Sequence, residues 1–208
     1  MALDLEEQDQ LDALKTWWKV YGNLITAVVV VFAVGFAGYR GWEYYQHQQS
    51  IQASAKYEAL GLLNKTDIKA VKSITAELMD KYPSTPYAGR AAIAAAQSNY
   101  LTRDIKSAKA QLEWAVKNAK EDAVRAVALL QLAALQAEEK DFDAALKTLA
   151  EKHDAGFDGL FADLKGDVLA AQGKNAEARL AYQDALSKLD AQGRYHRYTE
   201  YKLEALGS

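Results

Sequence analysis

The sequence predicts an all-α protein in which a single N-terminal transmembrane helix precedes a stack of helix pairs. Three observations carry that expectation. Twenty consecutive residues, Val20 to Tyr39, hold no charged side chain. The 208 residues include only two prolines and 12 glycines, too few to interrupt helices often. No segment sustains the two-residue alternation of a half-buried strand.

Composition removes several function classes at once. Half the residues are hydrophobic and a quarter are charged, which fits neither a disordered nor a fibrous chain. The net charge of -3 provides no electrostatic footprint for nucleic acid, so no nucleic-acid partner is expected. Without cysteine there is no disulfide, no thiol nucleophile and no thiolate metal site. Residues 1–21 carry Asp4, Glu6, Glu7, Asp9 and Asp12 against Lys15 and Lys19. That leaves 23 of the 28 acids and 23 of the 25 bases for a neutral remainder. The acidic head is chemically distinct from the body.

The uncharged run is long enough to cross a bilayer, because twenty helical residues rise about 30 Å. Its centre, Ala27 to Val34, is rich in valine and would read as a strand in water. In lipid every backbone polar group must be paired within the segment, and that forces helix. Trp17, Trp18 and Tyr21 precede the run, and Tyr39, Trp42, Tyr44 and Tyr45 follow it, as two aromatic belts at headgroup level. Gly35-Phe36-Ala37 resembles a signal-peptidase site, but the preceding segment is long and acidic where a signal peptide is short and basic. An uncleaved anchor is therefore expected, with residues 1–19 as a cytoplasmic tail, 20–41 as the transmembrane helix and 42–208 as the body. Lys15 and Lys19 balance Arg40 and Lys56, so the positive-inside count is tied. The short leader and large following domain favour a cytoplasmic N-terminus and a body outside the cytoplasm. Ala33, Ala37 and Gly41 recur every four residues, a small face that admits a second helix, although alanine and glycine are also simply common in spans.

The body, residues 46–206, alternates helix-favouring runs with polar breaks. These fall near 64–67, 82–86, 102–104, 121–122, 140–141, 154–156, 173–175 and 192–193. Between them, apolar residues follow the i, i+3, i+4, i+7 spacing of amphipathic helices. Helix 123–139 is expected to place Val127, Leu130 and Ala134 on one face, extended by Leu132 and Leu135. A phrase also repeats: a polar break, then an apolar or small residue, then a small residue three further on. Asp67-Ile68, Asp104-Ile105, Asp141-Phe142 and Lys174-Asn175 open its copies, and Val71, Ala108, Ala145 and Ala178 anchor them. The anchors lie 37, 37 and 33 residues apart, bracketing the period of about 34 that marks tetratricopeptide helix-turn-helix repeats. A tetratricopeptide-like α-solenoid is the expected fold.

Within each repeat, close helix crossings need small side chains. Gly166 would let one helix approach its partner, with Ala96 and Ala133 in its place in other copies. Ala108, Ala145 and Ala178 are expected at crossings, and Tyr182 and Ala185 at the seam to the next pair. Residues 88–150 hold 19 alanines, which fits close packing and also simply helix propensity. Tyr100, Trp114, Tyr195, Tyr198 and Tyr201 are candidates to line the concave face, cap the end or fill the core.

No residue set for chemistry emerges. His47, His153 and His196 have no second ligand at metal spacing, and His47 and His153 read as solvated surface. The serines sit in no nucleophile motif, and no glycine-rich phosphate loop is present. No catalytic residue, cofactor or metal is expected.

Three stretches carry a family resemblance: Leu5–Gly41, the Tyr82–Ala88 turn, and Phe157–Tyr182 with its ADLKGDVLAAQG core. Together they are similar to the YfgM-like family, described as ancillary subunits of the SecYEG translocon. The resemblance implies an inner-membrane protein with a cytoplasmic tail and a periplasmic repeat domain. Its implied partners are SecYEG, a PpiD-like membrane chaperone, unfolded periplasmic polypeptides and membrane lipid. The family defines no catalytic or ligand residues to carry across. The rival readings are an adaptor or regulator of another cell-envelope assembly complex, or a non-catalytic subunit of a membrane enzyme.

Overall fold

Helices α1 (Leu5–Leu62), α2 (Ile68–Lys81), α3 (Pro86–Leu101), α4 (Ile105–Asn118), α5 (Asp122–Glu138), α6 (Phe142–Leu149), α7 (Asp158–Ala171), α8 (Asn175–Lys188) and α9 (Arg194–Ala205) make up the chain, with one 3-10 turn at Ala155–Phe157. They come from a computed structural model that describes residues 5–63 and 67–207, with side chains from residue 10 onward. No strand occurs among the described residues. The later breaks between helices fall at the polar clusters, except that α6 ends before 154–156; of the first expected break, 64–67, residues 64–66 lie outside the described residues.

The chain divides into two units between Gln48 and Gln49. The first is the N-terminal part of α1, and the 41/42 boundary expected from the sequence falls inside that helix. Its side chains lie almost entirely in the open: Val31 is 70% and Phe32 76% exposed. This is the one helix among the described residues long and apolar enough to cross a membrane. From Tyr21 to Tyr39 the helix rises about 27 Å, and from Trp18 to Trp42 about 36 Å, spacings that match the thickness of a hydrocarbon core.

The second unit is built by one device used repeatedly. Asp67, Asp104 and Asp141 each cap a helix by accepting a hydrogen bond from the backbone N–H three residues on, at Ala70, Ser107 and Ala144. Before Asp104, Asp141 and Lys174, the residues that precede α4, α6 and α8, the chain makes the same reversal. Asp104, Asp141 and Lys174 donate their N–H to the carbonyls of Asn99, Gln136 and Leu169, each at 2.9 Å. These are Schellman closures, and they require a left-handed residue. Arg103 (φ 64°), Lys140 (φ 63°) and Gly173 (φ 77°) take that role in successive repeats. The spacing of 37 and then 33 residues is therefore the spacing of a turn as well as of a sequence phrase.

Packing then runs from neighbour to neighbour rather than around one centre. Ala53 and Leu60 of α1 join Val71, Leu78, Tyr82, Ala91 and Ala95. Ala92 and Ala96, one residue round α3, join Ala108, Leu112 and Ala115 of α4 and Ala128, Leu132 and Leu135 of α5. Ala126, Leu129 and Ala133 of α5 join α6 and α7 through Ala145, Leu149, Phe161 and Val168. Leu169, Ala178, Ala181 and Tyr182 close the series, with Leu203 and Leu206 packed against them. Helices α3, α5 and α7 are thus buried on two sides. They also touch in succession, α3 to α5 and α5 to α7, which makes them the inner layer of an α-solenoid.

Two local expectations change. On α5 the expected face splits: Leu132 and Leu135 are buried as expected and Leu130 packs half-buried against the α5–α7 core, whereas Ala134 is exposed and Val127 half-buried on the open side. The core sides use Ala126, Leu129 and Ala133, and Ala128, Leu132 and Leu135. Three stripes of equal period compete on this helix, and periodicity alone does not rank them. Helix α6 is also shorter than its polar breaks imply, ending at Leu149. Beyond it the chain folds so that His153 stacks on Phe161, with ring centroids 3.5 Å apart. His153 is therefore mostly covered (17% side-chain exposure), not the solvated side chain expected.

Candidate functional site

Between α3 and α5 a groove runs along the inner layer. At the N-terminal ends of the two helices it is lined by Ile93, Val124 and Val127, beside Tyr57. At their C-terminal ends it opens into a hollow of about 420 Å³ floored by Ala96, Ala108, Leu112 and Leu135, with Leu101 and Ala134 at its sides. Gln97, Gln131, Tyr100 and Glu138 supply its polar edge. The small side chains explain the hollow, since alanine at 96, 108 and 134 leaves open the volume that leucine would fill.

A polar bridge crosses each end of this groove. Arg90 holds Glu121 with two parallel hydrogen bonds, Nε to Oε2 at 2.7 Å and an Nη to Oε1 at 2.6 Å. That bidentate pairing raises the Arg90 pKa above its ordinary value. At the other end the Tyr100 hydroxyl donates to Glu138 at 2.8 Å, and this raises the phenol's pKa. Tyr100 remains 40% and Leu101 57% exposed, so both are available to a ligand. The sequence singled out Tyr100 but not its partner. The missed signal is that Tyr100 and Glu138 stand 38 residues apart, one repeat and one step along the neighbouring helix.

The remaining predicted site residues are placed as follows. Ala108, Ala145, Ala178 and Ala185 are 1% exposed or less, at helix contacts. Gly166 lies directly under the ring of Tyr182, where any Cβ would collide with the aromatic carbons. Tyr182 thus packs within its own helix pair, and it also meets the next helix. Its hydroxyl donates to Asp167 at 2.8 Å while Lys202 of α9 sits 5.9 Å from its ring centroid. Lys202 is held by Asp163 and Asp167, both at 2.7 Å, and the Thr199 hydroxyl donates to Asp163 at 2.8 Å. Trp114 packs half-buried against the α3–α5 core, whereas Tyr195, Tyr198 and Tyr201 are more than half exposed on α9. Ala33, Ala37 and Gly41 are exposed on α1, and a Cβ at Gly41 would meet nothing.

Among the described residues no three His, Asp or Glu side chains cluster as metal ligands would. The arrangement can hold an extended or helical segment by apolar contact and amide hydrogen bonding.

An α-solenoid of helix pairs with an open inner groove, carried on a chain with one apolar helix, defines a scaffold of the tetratricopeptide class. Residues 15–208 match the tetratricopeptide repeat-like domain family, and the chain belongs to that family. It is 32% identical to the ancillary SecYEG translocon subunit of Neisseria gonorrhoeae over 99% of this chain and 100% of that protein. Proteins of the same description in Haemophilus influenzae (29% identical, 89% of this chain and 91% of that protein) and Escherichia coli (28%, 85% of each) are also similar. The family likeness read from Leu5–Gly41 and Phe157–Tyr182 is to this group.

Proposed function

We propose that this chain is a non-catalytic ancillary subunit of the Sec translocon. In this reading it crosses the bacterial inner membrane once, with its N-terminus in the cytoplasm and residues 42–208 in the periplasm. There it holds unfolded stretches of secreted polypeptide and hands them on together with a PpiD-like membrane chaperone. The observation that carries the reading is the likeness, over essentially the full length of both chains, to a protein named as a translocon subunit.

Physical features of the chain support each part. An apolar helix with paired aromatic belts anchors the protein in lipid, and Ala33, Ala37 and Gly41 give a neighbouring transmembrane helix a smooth approach. Anchoring near a channel exit raises the local concentration of emerging chains, so weak contacts suffice. The groove between α3 and α5 suits such contacts. It has a small-residue floor that accepts varied side chains and two amides, Gln97 and Gln131, that accept or donate to a peptide backbone.

The test is photo-crosslinking from the full chain in inner membranes. A benzoylphenylalanine at Leu101 is expected to capture secretory chains, and one at Ala37 the SecYEG channel. Recovery of one cell-envelope assembly machine at both positions would replace the translocon reading with the adaptor reading. Signal from a cytoplasm-only reporter fused at the C-terminus would reverse the proposed orientation.

A further inference from the structure

Helix α9 turns one side into the body and leaves the other free. Thr199 is 1% exposed, and Leu203 and Leu206 pack on the cluster around Tyr182. The opposite arc, read from the 100° step of the helix, carries Arg194, Arg197, Tyr198, Tyr201, Glu204 and Ala205 in that order. All six are exposed, Tyr198 by 53% and Tyr201 by 64%. Along the arc the chemistry changes from two cations, through two aromatic rings, to a carboxylate and a small residue.

We propose that this arc docks a second copy of the same chain, α9 against α9, antiparallel about a two-fold axis between Tyr198 and Tyr201. Arg194 lies about 8 Å before that midpoint and Glu204 about 7 Å after it. Reversal therefore brings Arg194 of each copy level with Glu204 of the other, over the small Ala205, while Arg197 lies about 3 Å along the axis from that carboxylate. The four tyrosines meet at the centre, the residue type that dominates interface energetics. The interface is isologous: one patch complements itself.

Charge decides the occupant. Among the described residues Arg194, Arg197 and Glu204 have no ion-pair partner, a state they share with Arg103 and Arg179 but not with Arg40, Arg90 and Arg125, so it is the order of charge along the arc that selects the occupant. Arg194 rests only against the ring of its neighbour Tyr195, at 5.9 Å. An acidic segment or an anionic bilayer would satisfy the arginines but set like charge against Glu204. A basic segment does the reverse. A second α9 supplies both charges in opposite order. The patch is also held rigid, because Lys202 and Thr199 tie α9 to Asp163 and Asp167, so little order is lost on docking. One helix about 18 Å long contributes less than the roughly 800 Å² per partner of a stable complex. Association is accordingly weak and depends on both copies sharing one membrane.

The absence of cysteine makes the test clean, since any introduced thiol is unique. Full-length chains in membranes carrying Tyr198→Cys are expected to form disulfide-linked dimers on mild oxidation, well above an exposed control, Glu177→Cys. Arg194→Cys and Ala205→Cys chains should crosslink when mixed and poorly when alone. Glu204→Arg should lower the Tyr198→Cys yield roughly fivefold, and adding Arg194→Glu should restore it. Unchanged helicity and melting temperature in each variant separate lost docking from lost folding. Yield at Tyr198→Cys no greater than the control overturns the proposal. So does Arg194→Cys crosslinking to itself as well as to Ala205→Cys. A yield that follows anionic lipid content and ignores Glu204→Arg assigns the face to the bilayer and likewise overturns it.

Discussion

The N-terminal unit and the body are both rich in apolar residues, yet they deploy them in opposite ways. Between Ala27 and Val34 the side chains are mostly valine and phenylalanine, and they stand exposed. In α3 to α8 the buried positions are most often alanine, at 0–2% exposure through Ala91, Ala96, Ala108, Ala133, Ala145 and Ala178. A fluid lipid environment shapes itself around branched side chains. A rigid partner helix does not, and it comes close only over small ones. Side-chain size, more than hydrophobicity, distinguishes apolar residues facing lipid from those facing protein.

The largest effects should come from charges placed in either medium. Ala145→Arg or Ala178→Arg leaves an unpaired cation at a helix contact. That should cost about 3–5 kcal/mol, enough to abolish the cooperative thermal transition followed by circular dichroism. Val31→Arg should leave that transition in place and instead raise the cost of insertion by roughly 3 kcal/mol, read as a larger carbonate-extractable fraction. A wild-type melt for Ala145→Arg would dissolve the contrast between the regions.

Next in size is Gly166→Ala. Its methyl group must displace the Tyr182 ring, at a cost of about 1–3 kcal/mol in overpacking. Combining it with Tyr182→Leu should return part of the loss, because the obstructing ring is gone. Equal melting temperatures for Gly166→Ala and wild type would show that α7 and α8 are not in close approach.

A smaller, pH-dependent effect is expected at α9. Burial pushes the Lys202 ammonium down, but its hydrogen bonds to Asp163 and Asp167 outweigh this and hold its pKa above the ordinary 10.5. Burial, then the bond to Asp167, raises the Tyr182 phenol above its ordinary 10.0. Both groups keep their protons more tightly when folded. The stability they contribute is complete below their unfolded values and falls as pH rises through the folded ones. Melting temperature should therefore drop above about pH 10, and less steeply in Lys202→Gln. An identical alkaline slope in that variant would remove Lys202 from the account.

The smallest effects belong to the turns. Lys140→Gly should relieve a left-handed strain of about 1 kcal/mol, and Gly173→Ala should introduce one of similar size. Opposite signs at these equivalent positions, measured by denaturant midpoint, would confirm that the repeats share one reversal. Matching signs would break the equivalence.

Much of this was legible in the order of residues, because local signals act over a few positions. The aspartates at 67, 104 and 141 announce helix starts, the polar clusters mark reversals, and an uncharged run between aromatic belts announces lipid. Small residues at fixed offsets from each cap locate the helix contacts. Those features depend on backbone hydrogen bonding and transfer from water, which each segment meets alone.

The rest depends on which neighbour reaches which face. Val127 and Ala134 share a period with the core sides of α5, and only the stacking of α3 and α7 on that helix leaves them open while Leu130 packs inward. His153 is covered because α6 stops early and α7 brings Phe161 beneath it. The bridges from Arg90 to Glu121, Tyr100 to Glu138 and Lys202 to Asp163 join residues 31 to 39 positions apart. A repeat period predicts that such helices adjoin. The facing pairs themselves are set by the twist between successive helix pairs, a property of packed volumes that no single segment carries.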